Sequence, residues 1–200
     1  MAMSAPSTKS HVVVIGVFDG VHKGHQELLN RAKAIADGRE IIALTFDPHP
    51  TTVFAPDRAP SMLTTLPDRV ELLKIHGADQ VAVMKFNEKF AAMSPEDFVK
   101  SVLVDQLHAS TVIVGKNFTY GHKAAGNVDS LIASGVVHNF TVDAQELNSD
   151  IGEVISSSRI RGLVQEGNVE DARLLLGRPH RLDGVVVHGE KRGRQIGYPT

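Results

Sequence analysis

The chain is expected to fold as an α/β domain built on a parallel sheet with helices on both faces. Apolar residues switch repeatedly between the alternation of strands and the 3.6-residue spacing of helices, and the two kinds of stretch follow one another at similar size. Each unusual polar motif also follows a strand or opens a helix, which is where ligands bind in such sheets.

Strand-like runs lie at His11–Ile15, Ile41–Phe46, Gln80–Met84, Thr111–Gly115 and Val136–Val142. Helical spacing covers His25–Asp37, Pro67–His76 and Pro95–His108 between them. The last of these has a defined start: Ser94 as N-cap, Pro95 in the first helical position and Asp97 to complete a capping box. Val169–Leu176 reads as a short helix ended by Gly177, and Gly184–Gly189 as one further strand. A basic, glycine-rich loop follows over Glu190–Gly197.

Composition narrows the function classes. An apolar fraction of 42% supplies a core, and a net charge of −2 gives no bias toward nucleic acid or a membrane surface. The absence of cysteine removes disulfides, thiolate metal sites and cysteine nucleophiles. The first ten residues are small and polar, without the apolar segment of a signal peptide, and read as a disordered tail. No run is long enough to span a bilayer. A soluble cytoplasmic protein is expected.

The stretch Val13-Val14-Ile15-Gly16-Val17-Phe18-Asp19-Gly20-Val21-His22-Lys23-Gly24-His25 is the most telling one. A β-branched run ends at a glycine, an Asp-Gly turn follows, and two histidines three residues apart stand where an amphipathic helix begins. A helix N-terminus carries unpaired N–H groups and partial positive charge, so it suits a phosphate. Gly24 would let the phosphate approach the backbone, and His22 and His25 would add donors on one side of the first turn. A surface pair or two metal ligands are the other readings of the histidines, although zinc would want further ligands.

Three more segments qualify. Thr45-Phe46-Asp47-Pro48-His49-Pro50 closes a strand with two prolines, a rigid turn or part of a site. Phe54 beyond it is either core or an aromatic wall. Val112–Gly121 imitates a phosphate-binding Walker loop, but its glycines are one residue too far apart and His122 stands where lysine is required. Asn117, Phe118 and Tyr120 suit a flat heterocycle instead, with an amide for ring polar atoms and aromatic faces for stacking. Ile155-Ser156-Ser157-Ser158-Arg159-Ile160-Arg161 opens another helix, as plain caps or as a second anion site.

The Gly-Val-Phe-Asp-Gly-Val-His-x-Gly-His-Gln string resembles the His-x-Gly-His signature of nucleotidyltransferases. More narrowly it looks like the adenylyltransferase half of bacterial bifunctional riboflavin kinase/FAD synthetases. Phe-Asp-Pro-His-Pro, the Val-Gly-x-Asn-Phe-x-Tyr-Gly segment and Ser-Ser-Ser-x-x-Arg match that family in order, with Tyr120 for phenylalanine and Ser158 for threonine. The resemblance implies a Rossmann-like nucleotidyltransferase sheet over residues 11–177 that joins ATP and FMN into FAD and pyrophosphate, with Mg2+. It implies catalytic roles for His22, His25, Ser157, Ser158 and Arg161, and ATP contacts from Gly16, Phe18, Asp19, Gly24, His25 and Arg161. Flavin contacts would come from Phe46, Pro48, His49, Pro50, Phe54, Asn117, Phe118 and Tyr120. Every adenylyl-transfer motif lies before Gly177, so residues 11–177 are expected to carry that chemistry alone.

Residues 178–200 resemble the start of the family's β-barrel kinase domain, whose Pro-Thr pair leads to magnesium ligands. Thr200 would be the remnant of that metal site, and riboflavin phosphorylation is expected only from a longer chain. Two alternatives remain. One is another nucleotidyltransferase, using a pantetheine phosphate or nicotinamide mononucleotide. The other is a flavin- or nucleotide-binding module without chemistry.

Overall fold

Five parallel strands form the sheet in the computed structural model of the chain, which describes residues 10–146, 149–150, 153–185, 187, 189 and 192–197. In chain order the elements begin with β1 (His11–Ile15), α1 (Lys23–Ile35), β2 (Ile41–Asp47), α2 (Pro50–Phe54), α3 (Leu66–Ile75), β3 (Gln80–Lys85) and α4 (Glu88–Ala91). Next comes α5, which opens over Pro95–Asp97 and widens into π-helical hydrogen bonding over Phe98–Gln106. There follow β4 (Ala109–Gly115), the small hairpin β5 (Thr119–Tyr120) and β6 (Gly126–Asn127), α6 (Val128–His138) and β7 (Thr141–Gln145). A second short hairpin pairs β8 (Ser149–Asp150) with β9 (Glu153–Val154), before α7 (Ser157–Gln165), α8 (Val169–Leu176) and α9 (Arg192–Gln195).

The strand order is β3-β2-β1-β4-β7, so the chain winds outward from β1 in both directions. The crevice between β1 and β4 is therefore the switch point beyond which a ligand binds in open α/β sheets. Alternation along β1 divides the core. Val12 and Val14 pack with Leu28, Leu29, Ala32 and Leu73 of α1 and α3, whereas Val13 and Ile15 pack with Phe98, Val102, Leu103 and Leu131 of α5 and α6. Both faces are covered, which explains why these strands are continuously apolar. A satellite cluster of Leu63, Ile155, Ile160, Ala172, Leu175 and Leu176 seats α7 and α8 beside the sheet's carboxyl edge.

The strand expected at Val136–Val142 is found later in the chain, at Thr141–Gln145. Val136 and Val137 lie on α6, 79% and 73% exposed, and the strand begins only at Thr141. End signals outweigh the β-branched pair: Asn127 and Ser130 form a complete reciprocal capping box, and Asn139 terminates the helix in the left-handed region at φ 60. At α5, Ser94 accepts the Asp97 amide at 3.0 Å, the forward half of its expected box. The strand expected at Gly184–Gly189 falls partly outside the described residues, at positions 186 and 188. Its described residues Gly184, Val185, Val187 and Gly189 belong to no strand, and Val185 and Val187 are 88% and 78% exposed. A β-branched run becomes a strand only with a ladder partner, and among the described residues none pairs with it. No barrel is present among the described residues. Positions 1–9 of the expected tail, and Thr200, lie outside them. No helix among the described residues is long and apolar enough to cross a membrane.

Candidate active site

A cleft of about 720 Å³ opens at the carboxyl edge of the sheet. It is lined by Gly16, Asp19, His22, Gly24, His25, Phe46, His49, Pro50, Phe54, Asn117, Phe118, Tyr120, Ser157, Ser158 and Arg161, which brings the four separate motifs of the sequence into one space. Phe18 and Pro48, expected with them, do not line it. Phe18 is fully buried behind the wall, its ring edge-on to His25 at 5.1 Å, and Pro48 is exposed outside. A side chain at Gly16 would run into the Phe18 ring at 2.9 Å, so the glycine serves this packing.

The turn after β1 is unusually constrained. Phe18, Gly20 and Val21 have φ of 56, 80 and 40, a left-handed conformation costly for a buried β-branched residue. The Asp19 side chain is 1% exposed and accepts the amides of Leu63 at 3.0 Å and Thr64 at 3.1 Å, and the Arg161 guanidinium at 2.7 Å. The Asp19 carbonyl accepts the Ser157 hydroxyl at 2.9 Å, and the Gly20 amide donates to Thr64 Oγ1 at 3.1 Å. The carboxylate is thus an anchor that ties the α7 start to the α1 start. Arg161 also donates from Nε to the Ser61 carbonyl at 2.8 Å. Ser156, not Ser157, caps α7, accepting the Arg159 amide at 3.2 Å.

His22 is the N-cap of α1, and its ring stacks on His25 with centroids 3.6 Å apart. A side chain at Gly24 would press on the His22 ring at 3.4 Å. The Nδ1 atoms of both histidines are buried without a hydrogen-bond partner. Burial pushes His22 down to about 4, with Asp19 opposing and Arg161 and Arg178 adding to the fall. His25 is held well below its ordinary value by burial and then by His22. Both are therefore neutral near pH 7. The unfolded chain takes up protons near 6.5 where the folded one does not, so stability is complete above that pH and is lost as pH falls toward about 4. Urea unfolding at about pH 7.5 and about pH 5 is expected to show this loss. His22→Gln should reduce it, and a parent stability independent of pH would contradict the account.

The far half of the cleft is aromatic. His49 caps α2 through Nδ1, which accepts the Thr51 amide at 3.2 Å, so the neutral ring carries its proton on Nε2. Burial, and then Arg161, lowers the His49 pKa. Phe54 stands at the mouth, 57% exposed and edge-on to Phe86 at 5.4 Å. Tyr120 is buried parallel to Phe118 at 5.6 Å, and its hydroxyl pairs with Ser130 Oγ at 3.2 Å. Phe86, Phe90, Met93 and Phe98 also line the cleft and were not singled out from the sequence. Three of the chain's eight phenylalanines fall between positions 86 and 98, which was the available signal.

Among the described residues no three His, Asp or Glu side chains converge on a metal position. Asp19, the carboxylate in the cleft, is already occupied by two amides and Arg161. These residues do not build a protein cage for Mg2+.

A Rossmann-like parallel sheet with two helix N-termini facing one cleft is the build of a nucleotidyltransferase-like protein. The FAD synthetase family model matches residues 4–159, and the riboflavin kinase model matches residues 176–200. The chain belongs to the FAD synthetase family, with the bacterial bifunctional riboflavin kinase/FMN adenylyltransferases. The bifunctional riboflavin kinase/FMN adenylyltransferase of Listeria monocytogenes is 42% identical over 194 residues, covering 94% of this chain and 60% of that protein. That of Bacillus subtilis is 38% identical over 192 residues, again covering 94% and 60%. The chain thus spans about 60% of the length of the curated relatives it matches. A crystal structure described as a macrolide-efflux protein from Streptococcus pneumoniae superimposes with a TM-score of 0.82 at 31% identity, covering 96% of this chain and 63% of that one.

Proposed function

We propose that this chain transfers the adenylyl group of ATP to FMN, releasing pyrophosphate and forming FAD. One observation carries the reading: a single cleft joins two helix N-termini, with histidines and serines between them, to an aromatic wall. The first end suits a polyphosphate and the second a flat tricyclic ring. The relatives' names point to the same pair of substrates. Magnesium enters with ATP as part of the Mg·ATP substrate.

An FMN phosphate oxygen attacks the α-phosphorus directly, and the bond from that phosphorus to the oxygen bridging to the β-phosphorus breaks. An ionised phosphate needs no protein nucleophile, so the chain's task is alignment and charge neutralisation. His22 and His25, neutral and lining the cleft, donate to triphosphate oxygens near the reacting phosphorus. Ser157, Ser158 and Arg161 hold the departing pyrophosphate. Gly16 and Gly24 leave room for the nucleotide, and Asp19 fixes Arg161. Phe46, His49, Pro50, Phe54, Asn117, Phe118 and Tyr120 surround the flavin.

Residues 11–177 form the adenylyltransferase domain in this proposal, acting in the cytoplasm, and 178–200 open a riboflavin kinase barrel to which Thr200 would contribute a magnesium ligand. The acceptor is tested by incubating the chain with Mg·ATP and, separately, FMN, nicotinamide mononucleotide and a pantetheine phosphate. Pyrophosphate is expected with FMN alone. Release with either other acceptor and not with FMN would overturn the assignment.

A further inference from the structure

The Asp19–Val21 turn is held from two sides. The side facing the cleft is held by Thr64, Arg161 and Ser157; the opposite side is held by α8 and the residue that follows it. Gly177 ends α8 in the left-handed region at φ 73, and this turn carries the chain back beneath the start of α1. There the Arg178 guanidinium donates to the Gly20 carbonyl at 2.7 Å, with longer contacts of 3.4 Å to the Leu176 carbonyl and 3.5 Å to the Val21 carbonyl. Gln26 closes the arrangement, its Nε2 donating to the Val21 carbonyl at 2.9 Å and the Leu176 carbonyl at 3.0 Å.

Two of these carbonyls belong to Gly20 and Val21, which immediately precede His22 and both have positive φ, a strained conformation for Val21. A left-handed Val21 persists only where the surroundings over-determine it. Fixing the Gly20 and Val21 carbonyls also fixes the peptide planes that lead into His22, and so the aim of the first α1 amides. We infer that Arg178 is a positioning residue for adenylyl transfer, clamping the Gly20–Val21 turn from behind so that His22 and the α1 N-terminus face the triphosphate. Arg178 touches neither substrate; it acts through the backbone of the loop that does. It also lies in the stretch that matches the riboflavin kinase model. A chain ending at Gly177 keeps every adenylyl-transfer motif but lacks this clamp, and is expected to form FAD more slowly than the longer chain. Displacement of that segment would reach the phosphate loop directly.

The inference rests on the proposed ATP site, and its test separates the two. Arg178→Ala and Arg178→Lys are made in the full 200-residue chain and compared with the parent. Three readings are taken: affinity for a non-hydrolysable ATP analogue with magnesium, affinity for FMN by flavin fluorescence, and the kinetics of FAD formation. Arg178→Ala is expected to weaken analogue binding and lower kcat/KM for ATP by about tenfold to a hundredfold, with FMN affinity within about twofold of the parent. Millimolar guanidinium chloride is expected to recover part of the loss, and Arg178→Lys, which keeps the charge but not the fork, to fall between. A general packing defect would weaken both ligands together and would not respond to guanidinium. Analogue affinity at the parent value in both variants, or equal loss of both ligands without rescue, overturns the inference. A parent that binds the analogue but forms no FAD overturns the adenylyl-transfer reading alone.

Discussion

FAD formation by His25→Ala is expected to be slower than the parent's by about 10²–10³-fold, with the FMN requirement little changed. The His25 ring lines the phosphate end of the cleft, stacked on His22 and braced edge-on by the buried Phe18. Its buried Nδ1 has no hydrogen-bond partner within the protein, so truncation breaks no internal hydrogen bond at that atom. The loss is then of a donor whose interaction strengthens as charge moves onto the departing pyrophosphate, and such donors act on kcat more than on substrate affinity. The flavin wall of Phe54, Phe118 and Tyr120 belongs to other elements and should hold FMN as before. Steady-state kinetics with each substrate varied in turn checks this. Normal turnover with a greatly raised FMN KM would place the histidine on the wrong substrate.

Asp19→Ala is expected to destabilise the fold by about 3–5 kcal/mol, the cost of leaving a buried partner charge uncompensated. Asp19 is 1% exposed and the Arg161 side chain 13%, so little solvent screens the pair. The same truncation strands the Leu63 and Thr64 amides, which both point at the carboxylate. Activity should fall as well, because the carboxylate orients Arg161 and the turn leading to His22. Asp19→Asn retains an acceptor for the amides while losing the charge, and should lie between parent and Asp19→Ala. Urea denaturation reads the stability directly. A loss below about 1 kcal/mol would show that the pair is solvated and that Asp19 is not an anchor.

Much of this was legible in the chain because its signals are local. The β1 run, the Asp-Gly turn and the α1 apolar spacing lie in consecutive residues, and alternating β and α units imply a parallel sheet covered on both faces, though not its strand order. The misreading at Val136–Val137 shows where local reasoning stops. Two β-branched residues look like a strand until the Asn127 cap and the left-handed Asn139 are weighed, and both are solvent-exposed on α6. Asp19 was expected among the ATP contacts, but its partners at positions 63, 64 and 161 are remote in sequence and no spacing rule predicts them. Phe18 was expected in the cleft because it sits inside the motif. It is instead the buried brace behind Gly16 and His25, a role set by tertiary packing. Arg69 is hidden similarly: 1% exposed, it donates to the Val17 carbonyl at 3.0 Å and approaches Asp47 at 3.5 Å, joining the ends of β1 and β2 from a helix that carries no motif. Arginine in a helix ordinarily reads as a solvent residue.

The most direct measurement of the account follows two labels through one reaction. The folded chain is incubated with magnesium, FMN and ATP labelled at either the α- or the γ-phosphorus, and the flavin and pyrophosphate fractions are separated. Direct adenylyl transfer requires the α-label to appear in FAD and the γ-label in pyrophosphate, in equal amounts. Label passing from the γ-position into flavin, release of ADP in place of pyrophosphate, or no labelled flavin from a chain that binds both substrates would contradict it.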